Sequence, residues 1–119
     1  MLIGDRELQR IRAYEPEIRR EQSLLTAAVA IILRDSDDGS EVLLMQRAKH
    51  ERDPWSGQMS FPGGKIEPED SNSKATAMRE AREEVGARLS DEDFVGQLDD
   101  LYGLKVNGVF SVHVSCYII

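Results

Sequence analysis

The chain has 119 residues, of which 15 are basic and 22 are acidic, so its net charge at neutral pH is −7. This length supports one hydrophobic core but not two, which predicts a single small domain. Hydrophobic residues make up 40% and charged residues 31%, which excludes an intrinsically disordered chain and a disulfide scaffold. The longest apolar stretch, residues 24–33, is too short to cross a bilayer, and we expect no membrane segment.

Charge and cysteine content indicate the kind of partner and the compartment. An acidic chain lacks the clustered Lys and Arg that bind a phosphate backbone, so we expect a small ligand and no nucleic-acid polymer. The single cysteine, Cys116, forms no internal disulfide, which is typical of a reducing compartment. The N-terminus also lacks the basic and apolar regions of a signal peptide, and we therefore expect a cytoplasmic protein.

The first predicted element is a charge-dense N-terminal arm over residues 1–23. Leu8, Ile11 and Ile18 have a broadly helical spacing, and Pro16 divides the segment into two short helical pieces. The acids of the arm nearly balance its bases. We interpret it as a packing or dimer-contact element rather than a nucleic-acid arm.

The remaining residues, 24–119, predict a mixed α+β domain rather than a series of βαβ units. Glycine and proline clusters separate the apolar runs, and a long loop rich in them is commonly functional. In chain order the predicted elements are a β-hairpin over 24–34 and 41–47, a long loop over 48–64, a helix over 73–85 that stops at Gly86, and strands over 94–101 and 109–119.

Three glutamates of the predicted helix lie on one of its faces. Because a helix turns by about 100° per residue, Glu80, Glu83 and Glu84 project within one arc of the surface, away from the core side that carries Ala81. A solvated acidic face is one interpretation of such a cluster. A site for a hard cation is the other, since Mg²⁺ and Mn²⁺ prefer oxygen ligands.

The segment before the helix favours the metal interpretation. Gly63 and Gly64 follow Pro62 in a turn where the missing side chains permit close approach of the backbone to the helix. Asp70 adds another carboxylate near the helix start. Oxygen ligands gathered in this way suit Mg²⁺ or Mn²⁺ bridging to the phosphates of a substrate.

The same residues carry a resemblance to a known family. Residues 64–87 resemble the Nudix box, G-x5-E-x7-R-E-U-x-E-E-x-G-U, which is matched by Gly64, Arg79-Glu80-Ala81, Glu83-Glu84 and Gly86. Asp70 stands where the family usually has Glu, and eight residues rather than seven separate it from Arg79. Both departures also occur in the coenzyme A diphosphatase branch, which residues 63–71 and 76–81 resemble. Residues 43–48 and 57–62 are similar to the branch signature too, although Arg47 and Gly57 are one residue too far apart for it.

The resemblance implies a Nudix-type α/β/α sandwich over residues 24–119, with a mixed sheet and one catalytic helix. It implies metal-dependent hydrolysis of a nucleoside diphosphate linked to another group X, with coenzyme A or a derivative as the substrate. ADP-ribose, another nucleotide sugar, a damaged nucleoside triphosphate and a catalytically silent nucleotide sensor are the alternatives. The metal, Mg²⁺ or Mn²⁺, is expected on the carbonyl of Gly63 and the carboxylates of Glu80, Glu83 and Glu84.

The resemblance also implies the catalytic residues. Glu83 or Glu84 would combine metal binding with the role of general base, although a downstream loop is another source of the base. Arg79 is expected to orient the cluster by an ion pair with Glu83, four residues on, or with Asp70.

Other candidates each have a structural interpretation beside the functional one. The candidate substrate-binding residues are Arg47, Gln58, Phe61 and Lys65. Arg47 suits a substrate phosphate or a surface ion pair, while Gln58 and Phe61 suit the site or the support of the loop. His113 alternates with Val112 and Val114, so we predict a sheet-surface histidine rather than a ligand.

The chain ends within the apolar strand over residues 109–119. The family fold ordinarily continues with a further strand and a helix that covers the sheet, so we expect a domain that is short at its C-terminus. A bare apolar edge strand invites pairing with another chain. We therefore expect a homodimer or an aggregation-prone chain.

Overall fold

The computed structural model describes residues 4–17, 24–46, 51, 57–105 and 108–119. Within these ranges no helix is both long enough and apolar enough to cross a membrane. The elements are α1 (Asp5–Ala13), β1 (Leu24–Ser36), β2 (Gly39–Val42), β3 (Met45–Gln46), β4 (Met59–Ser60), β5 (Gly63–Lys65), α2 (Ser73–Val85), β6 (Phe94–Lys105) and β7 (Gly108–Ile118).

A mixed β-sheet forms the centre of the fold. Its strand order is β2-β1-β7-β6, and β5 pairs with the first half of β1. Strands β1 and β7 run parallel, whereas the other pairs of this sheet are antiparallel. A parallel pair needs a crossover connection, and the chain between β1 and β7 supplies α2 for this purpose. The predicted α+β class with a mixed sheet is confirmed.

Helix α2 covers one face of this sheet through small side chains. Alanines on both partners let the backbones approach closely, and they make up most of the buried cluster, which consists of Ala28, Ala30, Ile32, Ala77, Ala81 and Tyr117. Phe94 packs edge-on against Tyr117 with ring centroids 5.9 Å apart, and Lys74 lies 4.3 Å above the Phe94 ring. This packing fixes the helix, so its outward face has a defined position.

Local signals set both ends of α2, which spans the predicted residues Ser73–Val85. The side chain of Asn72 accepts a hydrogen bond from the Ala75 N–H at 2.8 Å, which caps the first turn. At the other end Gly86 has a left-handed φ of 72°. The Gly86 and Ala87 N–H groups donate to carbonyl groups of the last turn at 3.0 and 3.2 Å, which is a Schellman motif.

Helix α1 lies on the opposite face of the sheet. Gly96 pairs with Cys116, whose neighbour Tyr117 packs toward α2, and side chains alternate along a strand. Gly96 therefore faces away from α2, and a Cβ atom placed there would lie 2.7 Å from the carbonyl oxygen of Ile11. The sheet is thus held between two helices, as the α/β/α prediction requires.

The predicted arm is helical only in its first part. Helix α1 ends at Ala13, three residues before Pro16, and residues 14–17 continue without helical structure. The end agrees with the restriction that proline places on the preceding residues. Most of the second predicted helical piece, residues 18–22, lies outside the described residues.

Two predicted segments are organised differently in the structure. The hairpin of β1 and β2 is confirmed, but its second strand ends at Val42, and Met45–Gln46 pairs with β4 in a separate two-stranded sheet. Residues 48–64 are not one continuous loop, because β4 and the start of β5 fall within them. Strand β5 pairs with β1 since buried backbone N–H and C=O groups need hydrogen-bond partners.

The surface position predicted for His113 is wrong. The residue is only 2% exposed, and its Nδ1 lies 3.1 Å from the Ser73 hydroxyl at the start of α2. Strand β7 is a central strand with a helix over each face, so its alternation does not separate core from surface. Ser115 and Tyr117, on the same side as His113, hydrogen-bond to each other at 2.8 Å.

A carboxylate on β6 fastens the arm to the sheet. Asp99 Oδ1 accepts hydrogen bonds from the Tyr14 hydroxyl and from the Glu17 N–H, each at 2.7 Å. The Asp100 N–H in turn donates to the Glu17 carbonyl at 3.4 Å. The Glu17 N–H and the Tyr14 hydroxyl hold the pKa of Asp99 below its ordinary value, and the bond to Asp99 raises the pKa of Tyr14.

We expect the stability that Asp99 contributes to depend on pH. The unfolded chain binds the Asp99 proton more tightly than the folded chain, so this contribution is fully present above the ordinary pKa of 3.8 and is lost as the pH falls through the lower folded value. Urea unfolding of the wild type and of Asp99→Asn between about pH 3 and 8 measures it. Asp37→Asn, in the exposed β1–β2 turn, controls for loss of a surface charge. A wild-type advantage that stays constant down to about pH 3 would contradict the Asp99 assignment.

Two adjacent glycines of β5 are expected to respond differently to alanine. A Cβ atom at Gly63 would meet the Ala28 carbonyl oxygen and lie 2.8 Å from the Val29 Cα, both of which are backbone atoms. At Gly64 it would meet only the Glu80 carboxylate, at 2.5 to 2.7 Å, which is the far end of a flexible side chain. We expect Gly63→Ala to lower the free energy of unfolding by about 1–3 kcal/mol. Gly64→Ala should change it by less than about 1 kcal/mol. Denaturant unfolding of both variants measures this, and equal losses would contradict the geometry.

Candidate active site

Arg79 is the centre of a network of charges on the outer face of α2. Its guanidinium donates to both oxygens of Asp70, from Nε at 2.9 Å and from Nη2 at 3.0 Å. Nη1 donates to Glu80 Oε1 at 2.9 Å and to Glu83 Oε2 at 3.0 Å, and Nη2 also reaches the Lys65 carbonyl at 3.1 Å. One side chain therefore connects β5, the following loop and two glutamates of the helix.

Asp70 is held by donors from three directions. Besides Arg79, the Glu67 N–H donates to its Oδ2 at 2.9 Å and the Thr76 hydroxyl at 2.8 Å. The Arg79 guanidinium, followed by the Glu67 N–H and the Thr76 hydroxyl, holds the pKa of Asp70 far below its ordinary value. The carboxylate is 5% exposed and stays ionised at neutral pH.

The network has more negative than positive charge. Asp70, Glu80 and Glu83 surround one guanidinium, and the bonds to Asp70 first and then to Glu80 raise the pKa of Arg79. Glu80 is 15% exposed and lies against Gly64, whereas Glu83 is 51% exposed. A surplus of carboxylate in a partly covered position attracts cations.

The structure brings together several of the predicted site residues. Both ion pairs proposed for Arg79, with Glu83 and with Asp70, are present. Lys65 takes part through its backbone carbonyl while its side chain is exposed. Gly63 lies on β5 directly before Gly64, the residue that faces the Glu80 carboxylate.

Other predicted residues are not gathered into this network. Glu84 is exposed and is not among the hydrogen-bond partners of Arg79. Gln58 and Phe61 are exposed on the segment that leads to β5. In the described part of the chain, neither of them hydrogen-bonds to Asp70 or to the helix glutamates. Arg47 lies outside the described residues.

The donor set fits a hard cation in its chemistry, since it consists of carboxylate and carbonyl oxygens. The absence of a side chain at Gly64 leaves room for the Glu80 carboxylate beside β5, which an added Cβ would fill. Within the described ranges, however, no three acidic, His or Cys side chains are gathered closely enough to hold a metal ion. Glu80 and Glu83 are instead both hydrogen-bonded to Arg79.

Thr76 is a member of the network that sequence reasoning missed. Its side chain is fully buried, and its hydroxyl contacts Asp70. One signal was available in the sequence. Thr76 is one helical turn before Arg79 and Glu80, so a carboxylate that reaches Arg79 also passes close to Thr76.

Solved structures share this fold. The NUDIX domain of Shewanella oneidensis NrtR, solved with ADP ribose, superimposes with a TM-score of 0.66 at 22% identity, covering 95% of this chain and 70% of that one. The Caenorhabditis elegans Ap4A hydrolase gives a TM-score of 0.56 at 22% identity, covering 80% of this chain and 68% of that one. Likeness at this identity concerns the fold alone.

Sequence comparisons extend the likeness to the family. The chain is 37% identical over 116 residues to the Nudix hydrolase NudL of Escherichia coli (strain K12), covering 93% of this chain and 59% of NudL. It is 40% identical over 73 residues to the mitochondrial Nudix hydrolase 15 of Arabidopsis thaliana, covering 61% of this chain and 26% of that protein. The chain thus spans less than two thirds of the length of these curated relatives. The NUDIX domain family matches residues 24–116, and the chain therefore belongs to this family, whose hydrolases act on pyrophosphate bonds with the help of divalent metal ions.

Proposed function

We propose that this chain hydrolyses the pyrophosphate bond of a nucleoside diphosphate linked to another group. The observation that carries the proposal is the network around Arg79, which holds the Glu83 carboxylate together with that of Glu80, and Glu80 lies beside Gly64 of β5. Neighbouring carboxylates next to accessible backbone are suited to a divalent cation and a diphosphate. Glu83, Glu84 and Arg79 are the proposed catalytic residues.

The proposed metal ligands are the carboxylates of Glu80, Glu83 and Glu84 and the carbonyl of Gly63. Mg²⁺ or Mn²⁺ bound there would neutralise the diphosphate and lower the pKa of a water molecule. Glu83 or Glu84 would accept the proton from that water. Glu83 suits both roles, because half of its side chain is exposed and free to turn away from Arg79.

Arg79 would keep its position when the glutamates turn toward a metal. Its two bonds to Asp70 and its bond to the Lys65 carbonyl involve neither Glu80 nor Glu83. These bonds hold the loop and β5 against the helix. A fixed framework with two adjustable carboxylates is suited to metal binding, because only the side chains that form the new bonds need to move.

For the substrate, coenzyme A or a derivative is our first choice, on the resemblance of residues 63–71 to the coenzyme A diphosphatase branch. ADP-ribose, another nucleotide sugar and a damaged nucleoside triphosphate are the alternatives, and a dinucleoside polyphosphate is a further substrate to test. Gln58, Phe61, Lys65 and Arg47 are the proposed substrate contacts. The negative net charge supports a small substrate rather than a nucleic-acid polymer. A cytoplasmic location and a homodimer belong to the same proposal, but β7, which the sequence predicts as a bare edge strand, is a central strand paired with β1 and β6, so a dimer would have to form elsewhere.

A catalytically silent nucleotide sensor is the second candidate. It is favoured by the hydrogen bonds that tie Glu80 and Glu83 to Arg79, and by the lack of an assembled three-acid cluster in the ranges that the structure describes. A sensor needs to bind a nucleotide and does not need to activate water. Turnover therefore separates the two candidates.

We expect metal-dependent release of two phosphate-bearing products from one member of a substrate panel. The panel contains coenzyme A, ADP-ribose, NADH, a dinucleoside polyphosphate and 8-oxo-dGTP, each tested with Mg²⁺ and with Mn²⁺, and the products are separated and quantified by liquid chromatography. Glu83→Gln should lower kcat by about 100-fold or more, because it removes a metal ligand and a candidate base together. Chelation of the metal should abolish turnover.

Glu92→Gln is the matched control, because it removes an exposed carboxylate from the turn before β6 and should keep wild-type kcat. Preference for coenzyme A would support the branch, and preference for another diphosphate would support the chemistry alone. Nucleotide binding without turnover on every substrate would favour the sensor. Full activity of Glu83→Gln would contradict the proposed site.

A further inference from the structure

Thr76 carries a buried hydroxyl group that contacts a carboxylate of the candidate site. Its side chain is fully buried, and its Oγ1 lies 2.8 Å from Asp70 Oδ2 and 3.3 Å from the Asn72 carbonyl. A threonine within a helix ordinarily donates its single proton to the carbonyl four residues earlier. Here the shorter contact is with the ionised carboxylate, which is the stronger acceptor.

The hydroxyl gives Asp70 a link to the rigid part of the fold. The Glu67 N–H, which also donates to Asp70, belongs to the same short loop and moves with it. Thr76 precedes Ala77, which is completely buried in the cluster between α2 and the sheet. The Thr76 hydroxyl is therefore a fixed point, whereas the Arg79 side chain reaches Asp70 through several rotatable bonds.

The shortness of the aspartate makes this link important. An aspartate side chain is one methylene shorter than a glutamate, and Asp70 must still present both oxygens to Arg79. A carboxylate accepts about four hydrogen bonds, and Asp70 accepts four, from Glu67, from Thr76 and twice from Arg79. Without the hydroxyl, the donors to Asp70 from outside its own loop, within the described residues, would all belong to Arg79, the residue that Asp70 has to orient.

We propose that Thr76 is a positioning residue for Arg79 and acts through Asp70. It fixes the carboxylate, the carboxylate fixes the plane of the guanidinium, and the guanidinium places Glu80 and Glu83. The effect of Thr76 on metal binding and turnover rests on the proposed function. Its effect on Arg79 does not.

The direct test is the exchange of the Arg79 Nε proton with water, followed by nitrogen-edited NMR on the full chain. The signal is assigned by its absence in Arg79→Lys. Thr76→Val keeps the shape and removes the hydroxyl, and we expect exchange about 10-fold faster than in the wild type. Thr76→Ser keeps the hydroxyl and should restore slow exchange. If Thr76→Val does not fold, Thr76→Ala provides the same comparison.

A double-mutant cycle identifies the route. Asp70→Asn should also speed the exchange, and adding Thr76→Val to it should have little further effect, because both changes interrupt the same path. Unchanged exchange in folded Thr76→Val would overturn the proposal. Equal exchange rates in the Val and Ser variants, or fully additive effects in the cycle, would also overturn it.

The second readout concerns metal and turnover. We expect Thr76→Val to weaken Mn²⁺ binding, measured by calorimetry without substrate, by about 10-fold, and to lower kcat by a similar factor with little change in KM. Thr76→Ser should restore both. If the wild-type chain neither binds Mn²⁺ nor turns over any substrate while the Arg79 exchange still responds to Thr76→Val, the proposed function fails and the positioning role stands.

Discussion

The bidentate pair between Arg79 and Asp70 is the interaction on which the site depends. It joins a helix residue to a loop residue nine positions earlier, and the same guanidinium continues to the Lys65 carbonyl on β5. Glu80 and Glu83 are neighbours on the helix, and the remaining nitrogen of that group, Nη1, holds their carboxylates on one side of Arg79. Loss of the guanidinium would leave partly covered like charges side by side, which costs free energy unless a cation replaces it.

Helix α2 is positioned over the sheet by the packing of very small side chains. Ala77 and Ala81 seat the helix on Ala28 and Ala30 of β1, and Gly64 brings β5 against Glu80. Alanine and glycine have no alternative side-chain rotamers, so the distance between the helix and the sheet has one well-defined value. The same distance determines where the glutamates on the outer face of the helix lie. A larger residue at any of the four alanines would displace the carboxylates together with the helix, whereas one at Gly64 would displace the Glu80 carboxylate alone.

Sequence reasoning succeeded where local chemistry determines the structure. Helix α2 has the predicted bounds because Asn72 and Gly86 cap it within a turn of each end. The glutamates of the helix and the Arg79–Glu83 ion pair could also be predicted, since their spacing along the helix fixes their relative positions. The Arg79–Asp70 pair could be predicted because Asp70 lies near the helix start. The roles of the candidate residues in catalysis stay predictions.

What the sequence did not reveal depends on contacts between distant segments. His113 looked like a surface residue because alternation does not report that a central strand is covered on both faces. The pairing of β5 with β1 has no periodic signal in three residues.

The contact of the arm with β6 also limits how a second copy of the chain can pair with this sheet. Glu17 already accepts the Asp100 N–H at this sheet edge, and Ile11 fills the space over Gly96. A strand from a second copy could pair with β6 here only after displacing the arm from these backbone groups. The arm therefore protects this part of the edge from strand addition.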